Sequence, residues 1–285
     1  MPKFARIATS SGPQWALSEG DELLSLEGIL PPGADVQAVL TLAREGVPAA
    51  AKARAQRLQA ARTSWLTPVA RPGKVICLGL NYAAHAAEGG NAKPEYPAFF
   101  LRGVSSLIAH EEPMVRPTVS EHFDFEAELA VVIGRRARHL THGDALTAVG
   151  AYACFNDGTL RDYQRRSSQW TIGKNFDGTG AFGPWLVPAA DLPPGAQGLK
   201  IESRLNGGVM QSDDTGHMIV PVVEALVLLT EALTLEPGDV IAMGTPAGVG
   251  YARKPPVWMQ PGDRIEIEIE GIGLLSNPIV QESRA

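Results

Sequence analysis

The chain has 285 residues, 45% hydrophobic and 20% charged, a balance that excludes disorder and collagen and leaves room for a large core and a deep cavity. Its 31 Asp and Glu outweigh 25 Lys and Arg for a net charge of −6, which argues against nucleic acid or an anionic membrane and favours a small-molecule partner. No stretch reaches the ~18 apolar residues of a membrane helix, and no apolar run follows Met1-Pro2-Lys3-Phe4-Ala5-Arg6, so a cytoplasmic location is expected.

Residues 1–68 read as a small N-terminal α+β domain, with strands near 4–8 and 22–26 and helices at 35–45 and 49–62. The breaker-rich Leu66-Thr67-Pro68-Val69-Ala70-Arg71-Pro72-Gly73 stands where a linker would, and a second domain is expected over 73–285. From there strands dominate, at 75–80, 98–101, 129–133, 152–155, 199–205, 240–243 and 264–270. The last alternates Ile with Glu, which predicts a half-exposed antiparallel strand with an acidic outer face. One helix, at 222–233, interrupts them before Pro237-Gly238. No βαβ alternation is present, so the predicted class is a strand-rich α+β fold whose 30 Gly and 22 Pro make its turns. Cys77 and Cys154 sit in apolar runs and are expected buried and reduced.

The most informative stretch is Phe123-Asp124-Phe125-Glu126-Ala127-Glu128, which runs into the apolar Leu129-Ala130-Val131-Val132-Ile133. In a strand, the two-residue period puts Asp124, Glu126 and Glu128 on one face. Carboxylates clustered away from water must take protons or a compensating cation. A lone Glu-x-Glu is more often a solvated strand mouth, but Asp157, emerging after the apolar 152–155, offers a third carboxylate. Three oxygen donors without Cys or His suit Mg²⁺ or Mn²⁺.

His85 and Glu88 fall three residues apart in a short helix-like run that ends in Gly89-Gly90. That spacing lets the carboxylate orient the imidazole as a general base. Gly178, Gly180 and Gly183 spell G-x-G-x-x-G, yet Pro184 and Pro188 follow where a helix would have to open, so a dinucleotide site is rejected. Lys174, on the preceding glycine-rich loop, offers a fixed positive charge to an anionic intermediate. Gly244-Thr245-Pro246-Ala247-Gly248-Val249-Gly250 is a loop able to present backbone N–H groups and a hydroxyl to a carboxylate.

Taken in order, His85-x-x-Glu88, Glu126-x-Glu128, Asn156-Asp157 with Arg161-Asp162-x-Gln164, Gly173-Lys174-x-Phe176-Asp177 and Gly244-Thr245-Pro246 resemble the fumarylacetoacetate hydrolase family over about residues 75–280. The resemblance implies a mixed β-sheet roll, a homodimer, and Mg²⁺ or Mn²⁺ held by Glu126, Glu128 and Asp157. It makes His85 and Glu88 a water-activating dyad on a lid and Lys174 the stabiliser of an enolate. Arg161, Gln164 and Thr245 become holders of substrate oxygens. The implied activity is metal-dependent hydrolysis of a C–C bond in an acylpyruvate-type 2,4-dioxo acid, giving pyruvate and a carboxylic acid. The alternatives are a lyase or isomerase, decarboxylating or tautomerising an oxo acid at the same site, and a non-catalytic small-molecule binding protein. Two departures stand out: Phe100-Leu101-Arg102-Gly103 replaces the common Phe-x-Lys-Pro, and Gly158-Thr159-Leu160 replaces Val-Ser-Ala before Arg161.

Overall fold

The apolar runs become strands of two main sheets in the computed structural model, which describes residues 1–283. The larger is a 12-stranded mixed sheet with Ala127–Ile133, Val149–Asp157 and Gly180–Pro188 side by side. Every residue of Ala127–Ile133 is buried, as its freedom from polar side chains beyond Glu128 requires of a strand covered on both faces. Val240–Ala242 and Val75–Gly79 extend the sheet as a parallel pair, and Ala98–Arg102 forms the antiparallel edge.

The smaller, five-stranded sheet sets Arg264–Ile269 between Lys200–Leu205 and Gly273–Gln281. Its alternation works as predicted. Ile265, Ile267 and Ile269 are buried, while Glu266 and Glu268 on the outer face pair with Arg204 at 3.1 and 2.8 Å. The inner isoleucines join Leu129 and Val131 of the large sheet and Leu226 of helix Val222–Ala232 in one core. This is the strand-rich α+β roll expected.

The N-terminal strands are hydrogen-bonded into the large sheet, Phe4 opposite Leu186 and Ala5 opposite Trp185. Helix Val36–Glu45 starts where Asp35 caps it, its carboxylate accepting from the Ala38 amide at 3.0 Å, and Val39 and Leu40 pack into a core with Cys77 and Ala153. Two local expectations change. Strand Gly12–Glu19, absent from the expected elements, lies between the two strands foreseen. The helix expected over 49–62 stops at Arg54, and Arg57–Gln59 becomes a strand beside Glu22–Ser25. There Arg57 reaches Glu22 and Glu19 at 2.7 and 2.8 Å and Leu58 packs on a small core, so tertiary pairing overrides helix propensity. Cys77 and Cys154 are buried and free, and burial pushes the Cys154 thiol up to about 12.

His110 gives the fold a measurable acid sensitivity. It packs edge-on to Trp65, its Nδ1 accepts from the Ser276 amide at 3.0 Å, and burial pulls its imidazole down to about 4. Between that value and the ordinary ~6.5, the unfolded chain takes up a proton that the folded chain refuses. Stability from this group is therefore complete above pH ~6.5 and is lost as pH falls towards 4, a change of about 3 kcal/mol. In His110→Gln, which keeps an acceptor for Ser276, unfolding free energy should fall less steeply across that window. Superimposable pH profiles would show that His110 is not the cause.

Candidate active site

Adjacent strands place the three acidic candidates together. Glu128 lies inside Ala127–Ile133 and Asp157 ends Val149–Asp157. Glu126 sits just ahead of the first strand, held where its amide donates to Asn156 Oδ1 and its carbonyl accepts from the Asp157 amide, both at 3.0 Å. One oxygen from each of Glu126, Glu128 and Asp157 lies within 4.8 Å of the others, and all three residues are buried. Asp124 does not join them. The strand is interrupted at residues 125 and 126, and the Asp124 carboxylate instead accepts from Arg161 Nε at 2.7 Å and from the Gly250 and Tyr251 amides at 2.7 and 3.1 Å.

Buried cations offset most of this negative charge. Lys174 Nζ bridges Glu126 Oε2 and Asp157 Oδ2, each at 2.6 Å. Its placement depends on Gly173, where a β-carbon would meet the Gln164 amide nitrogen at 2.4 Å, so only glycine lets Thr171–Lys174 pack on Arg161–Gln164. Arg161 Nη2 lies 2.7 Å from Glu126 Oε1, an ion-pair contact outside hydrogen-bond geometry. Arg102 Nη1 donates to Asp157 Oδ1 at 2.5 Å and to Gly158 O at 3.1 Å, and its Nη2 donates to Thr179.

Titration behaviour divides the carboxylates. Burial alone would raise Glu126, but Lys174 and Arg161 outweigh it and hold the carboxyl near 2. Burial raises Glu128, Asp157 and Glu126 raise it further, and Lys174 and the Gly244 amide at 2.8 Å only partly oppose them. Glu128 is thus a buried carboxylate without an ion-pair partner among the described residues, one wall of an all-oxygen donor set. That unmet charge fits a hard divalent cation.

The His85 imidazole is built into the same cavity. Helix Ala83–Glu88 is anchored by Asn81, which donates to Val220 O and Met243 O at 3.0 and 2.7 Å and accepts from the Val220 amide at 2.7 Å. Gly244 allows this approach: at φ +87°, any β-carbon would lie 2.6 Å from Asn81 Cβ. His85 Nδ1 meets Glu88 Oε1 at 2.8 Å, and Glu88 Oε2 accepts from the Gly248 amide at 2.9 Å. Glu88 therefore fixes the ring, leaving Nε2 without a protein partner among the described residues.

The cavity, about 460 Å³, is lined by His85, Glu126, Glu128, Asp157, Arg161, Gln164, Lys174 and Thr245, while Glu88 stands behind the imidazole. Gln164 Oε1 accepts from Arg161 Nη1 at 3.0 Å, so its amide N–H groups remain to donate. Thr245 Oγ1 accepts from Gln211 Nε2 at 2.7 Å, which leaves its own O–H to donate. The 244–250 loop does present amides to carboxylates, but to the chain's own: Gly244 to Glu128, Gly248 to Glu88 and Gly250 to Asp124. Gly180 and Gly183 of the rejected G-x-G-x-x-G lie within strand Gly180–Pro188, which is followed by a single 3-10 turn at Ala189–Asp191 and not by an α-helix.

Sequence reasoning missed Tyr251, Arg165 and Trp170, which also line the cavity. None stands in a motif with recognisable spacing. Arg102 was noticed only as a departure, and the structure makes it a buried clamp on Asp157.

Comparisons with known proteins identify the family. The fumarylacetoacetate hydrolase C-terminal family pattern matches residues 74–280. The mitochondrial oxaloacetate tautomerase FAHD2A of Bos taurus is 39% identical over 225 residues, covering 78% of this chain and 71% of that protein. The fumarylacetoacetate hydrolase of Exiguobacterium antarcticum superposes with a TM-score of 0.87 at 34% identity, covering 99% of this chain and 100% of that one. The 5-carboxymethyl-2-hydroxymuconate delta-isomerase of Mycobacterium smegmatis superposes with a TM-score of 0.77 at 31% identity, covering 99% and 100%. With the family pattern spanning residues 74–280 and the fold superposing over nearly the whole chain, the chain belongs to the fumarylacetoacetate hydrolase family.

Proposed function

We propose that this protein is a divalent-metal enzyme that moves protons on small 2-oxo acids, interconverting keto and enol forms of an oxaloacetate-type acid. One observation carries the reading: a carboxylate-fixed imidazole and three mutually close carboxylates line a single cavity. Glu126, Glu128 and Asp157 would hold Mg²⁺ or Mn²⁺. When bound, the ion supplies Lewis-acid charge that favours the enolate of a 2-oxo acid over its keto form.

The chain's own groups do the rest. From keto to enol, His85 Nε2 takes the proton from the carbon next to the keto group, Glu88 stabilises the imidazolium that results, and that proton is returned to the enolate oxygen; enol-to-keto conversion runs the same two transfers in reverse. Lys174 has three N–H donors and commits two of them to Glu126 and Asp157, leaving one for the enolate oxygen. The donors left free on Gln164 and Thr245 orient the substrate's carboxylate. Tautomerisation needs only this proton traffic, and the bovine relative is named for it.

The hydrolysis expected from sequence is the second reading. It needs the same His85 to activate a water against a distal carbonyl, and the Exiguobacterium relative carries a hydrolase name. A cytoplasmic homodimer is part of the reading, although the bovine relative is named as mitochondrial.

The deciding experiment follows enol loss, pyruvate release and CO₂ release in parallel, with oxaloacetate and an acylpyruvate, in Mn²⁺ and then in chelator. Enol-to-keto conversion should be the fastest process, and chelator should abolish it. His85→Gln should slow it by about 100-fold or more while leaving Mn²⁺ binding intact. Pyruvate release from the acylpyruvate outrunning tautomerisation would move hydrolysis to first place. Wild-type rates in His85→Gln would end the proton-transfer role.

A further inference from the structure

We infer that Arg165 is a specificity-determining residue that reads the second, distal carboxylate of the substrate. The inference rests on the 2-oxo acid reading for the near end of the substrate.

Arg161 and Lys174 both line the cavity and both are buried, but their charge is committed to the protein. Arg161 meets Asp124 and Glu126, each at 2.7 Å, and Lys174 meets Glu126 and Asp157, each at 2.6 Å. Arg165 lines the same cavity, is exposed, and has no carboxylate partner among the described residues.

Arg165 is nevertheless held in place. Its guanidinium carbon lies 4.6 Å from the centre of the Tyr251 ring, which also takes Arg161 at 4.5 Å. Its amide donates to Arg161 O at 3.2 Å, fixing the backbone one turn beyond the buried arginine. Held over the ring and with no carboxylate partner among the described residues, the guanidinium has N–H groups that match the two oxygens of a carboxylate.

The geometry assigns the two ends of the ligand. One helical turn sends Arg161 to the buried carboxylate cluster and Arg165 to the exposed rim of the cavity. An acid whose 2-oxo carboxylate end lies against the cluster extends its far end towards that rim. A methyl or aryl end gains nothing from Arg165, whereas a carboxylate gains a charge-assisted, two-pronged contact.

The test compares 2-oxoglutarate with 2-oxopentanoate, five-carbon acids that differ only in whether the far end is a carboxylate or a methyl group. Calorimetric titration into Mn²⁺-loaded protein reads binding without requiring turnover. Wild type should prefer 2-oxoglutarate by about tenfold or more. Arg165→Gln should bring the two affinities together, and Arg165→Lys should keep part of the preference. Because Arg165 is exposed, the variants should fold as wild type does.

A preference unchanged in Arg165→Gln, or no preference in wild type, would overturn the assignment. Failure of the function reading looks different: no 2-oxo acid is turned over, while the binding preference still reports on Arg165.

Discussion

Glu128→Gln should lose the response to divalent metal and, with it, turnover. Glu128 is the buried member of the cluster with no ion-pair partner among the described residues, and its carboxyl is pushed up by burial and by its two acidic neighbours. Gln keeps an acceptor for the Gly244 amide and removes the unmet charge, so the metal-free variant should be at least as stable as wild type. The difference appears on adding Mn²⁺. At about 100 times its dissociation constant, the ion should raise wild-type stability by about 2.7 kcal/mol and leave the variant unmoved. Turnover should fall by at least about a hundredfold, because charge stabilisation worth several kcal/mol leaves with the ion. A variant whose melting temperature still rises with Mn²⁺ would falsify the carboxylate site.

Lys174→Met should be the most destabilising single change at the site. The ammonium bridges two carboxylates that are almost wholly buried, and its own pKa is raised because Asp157 and Glu126 outweigh the cost of burial. Arg161 still faces Glu126 and Arg102 still faces Asp157, so removing the ammonium leaves the buried charge only partly compensated, at a cost of up to about 3–5 kcal/mol. The melting temperature should drop by about 2–4 °C for each kcal/mol lost. Mn²⁺ should recover part of this, since a divalent ion can neutralise the same oxygens. The recovery should be larger for the variant than the rise seen in wild type. If the melting temperature of metal-free Lys174→Met matches wild type, the ammonium is not the counter-charge the distances indicate.

Much of the site was legible because its chemistry is local in sequence. Glu126 and Glu128, two residues apart at the start of one strand, reach the same cluster, and Glu88 reaches His85 through a helical turn. The alternating isoleucines of 264–270 announced their own buried face. Other features depend on distant partners. The strand at Arg57–Gln59 exists because Glu22 and Glu19 are waiting across the sheet, which no window around residue 57 reveals. Asp124 lies on the expected face by period, yet the loop amides of Gly250 and Tyr251 draw it away from the cluster.

By itself the sequence determined the strand-rich class, the identity of the acidic and basic groups, and their order along the chain, since short-range periodicity and residue chemistry suffice for these. Only the tertiary structure decided how charge is shared. It set Lys174 and Arg102 on Asp157, left Glu128 without an ion-pair partner among the described residues, turned the loop amides onto the protein's own carboxylates, and laid the exposed Arg165 over the Tyr251 ring. The physical reason is that electrostatic compensation depends on distance and burial in space. Residues 102, 128, 157 and 174 acquire neither until strands far apart in sequence pack side by side.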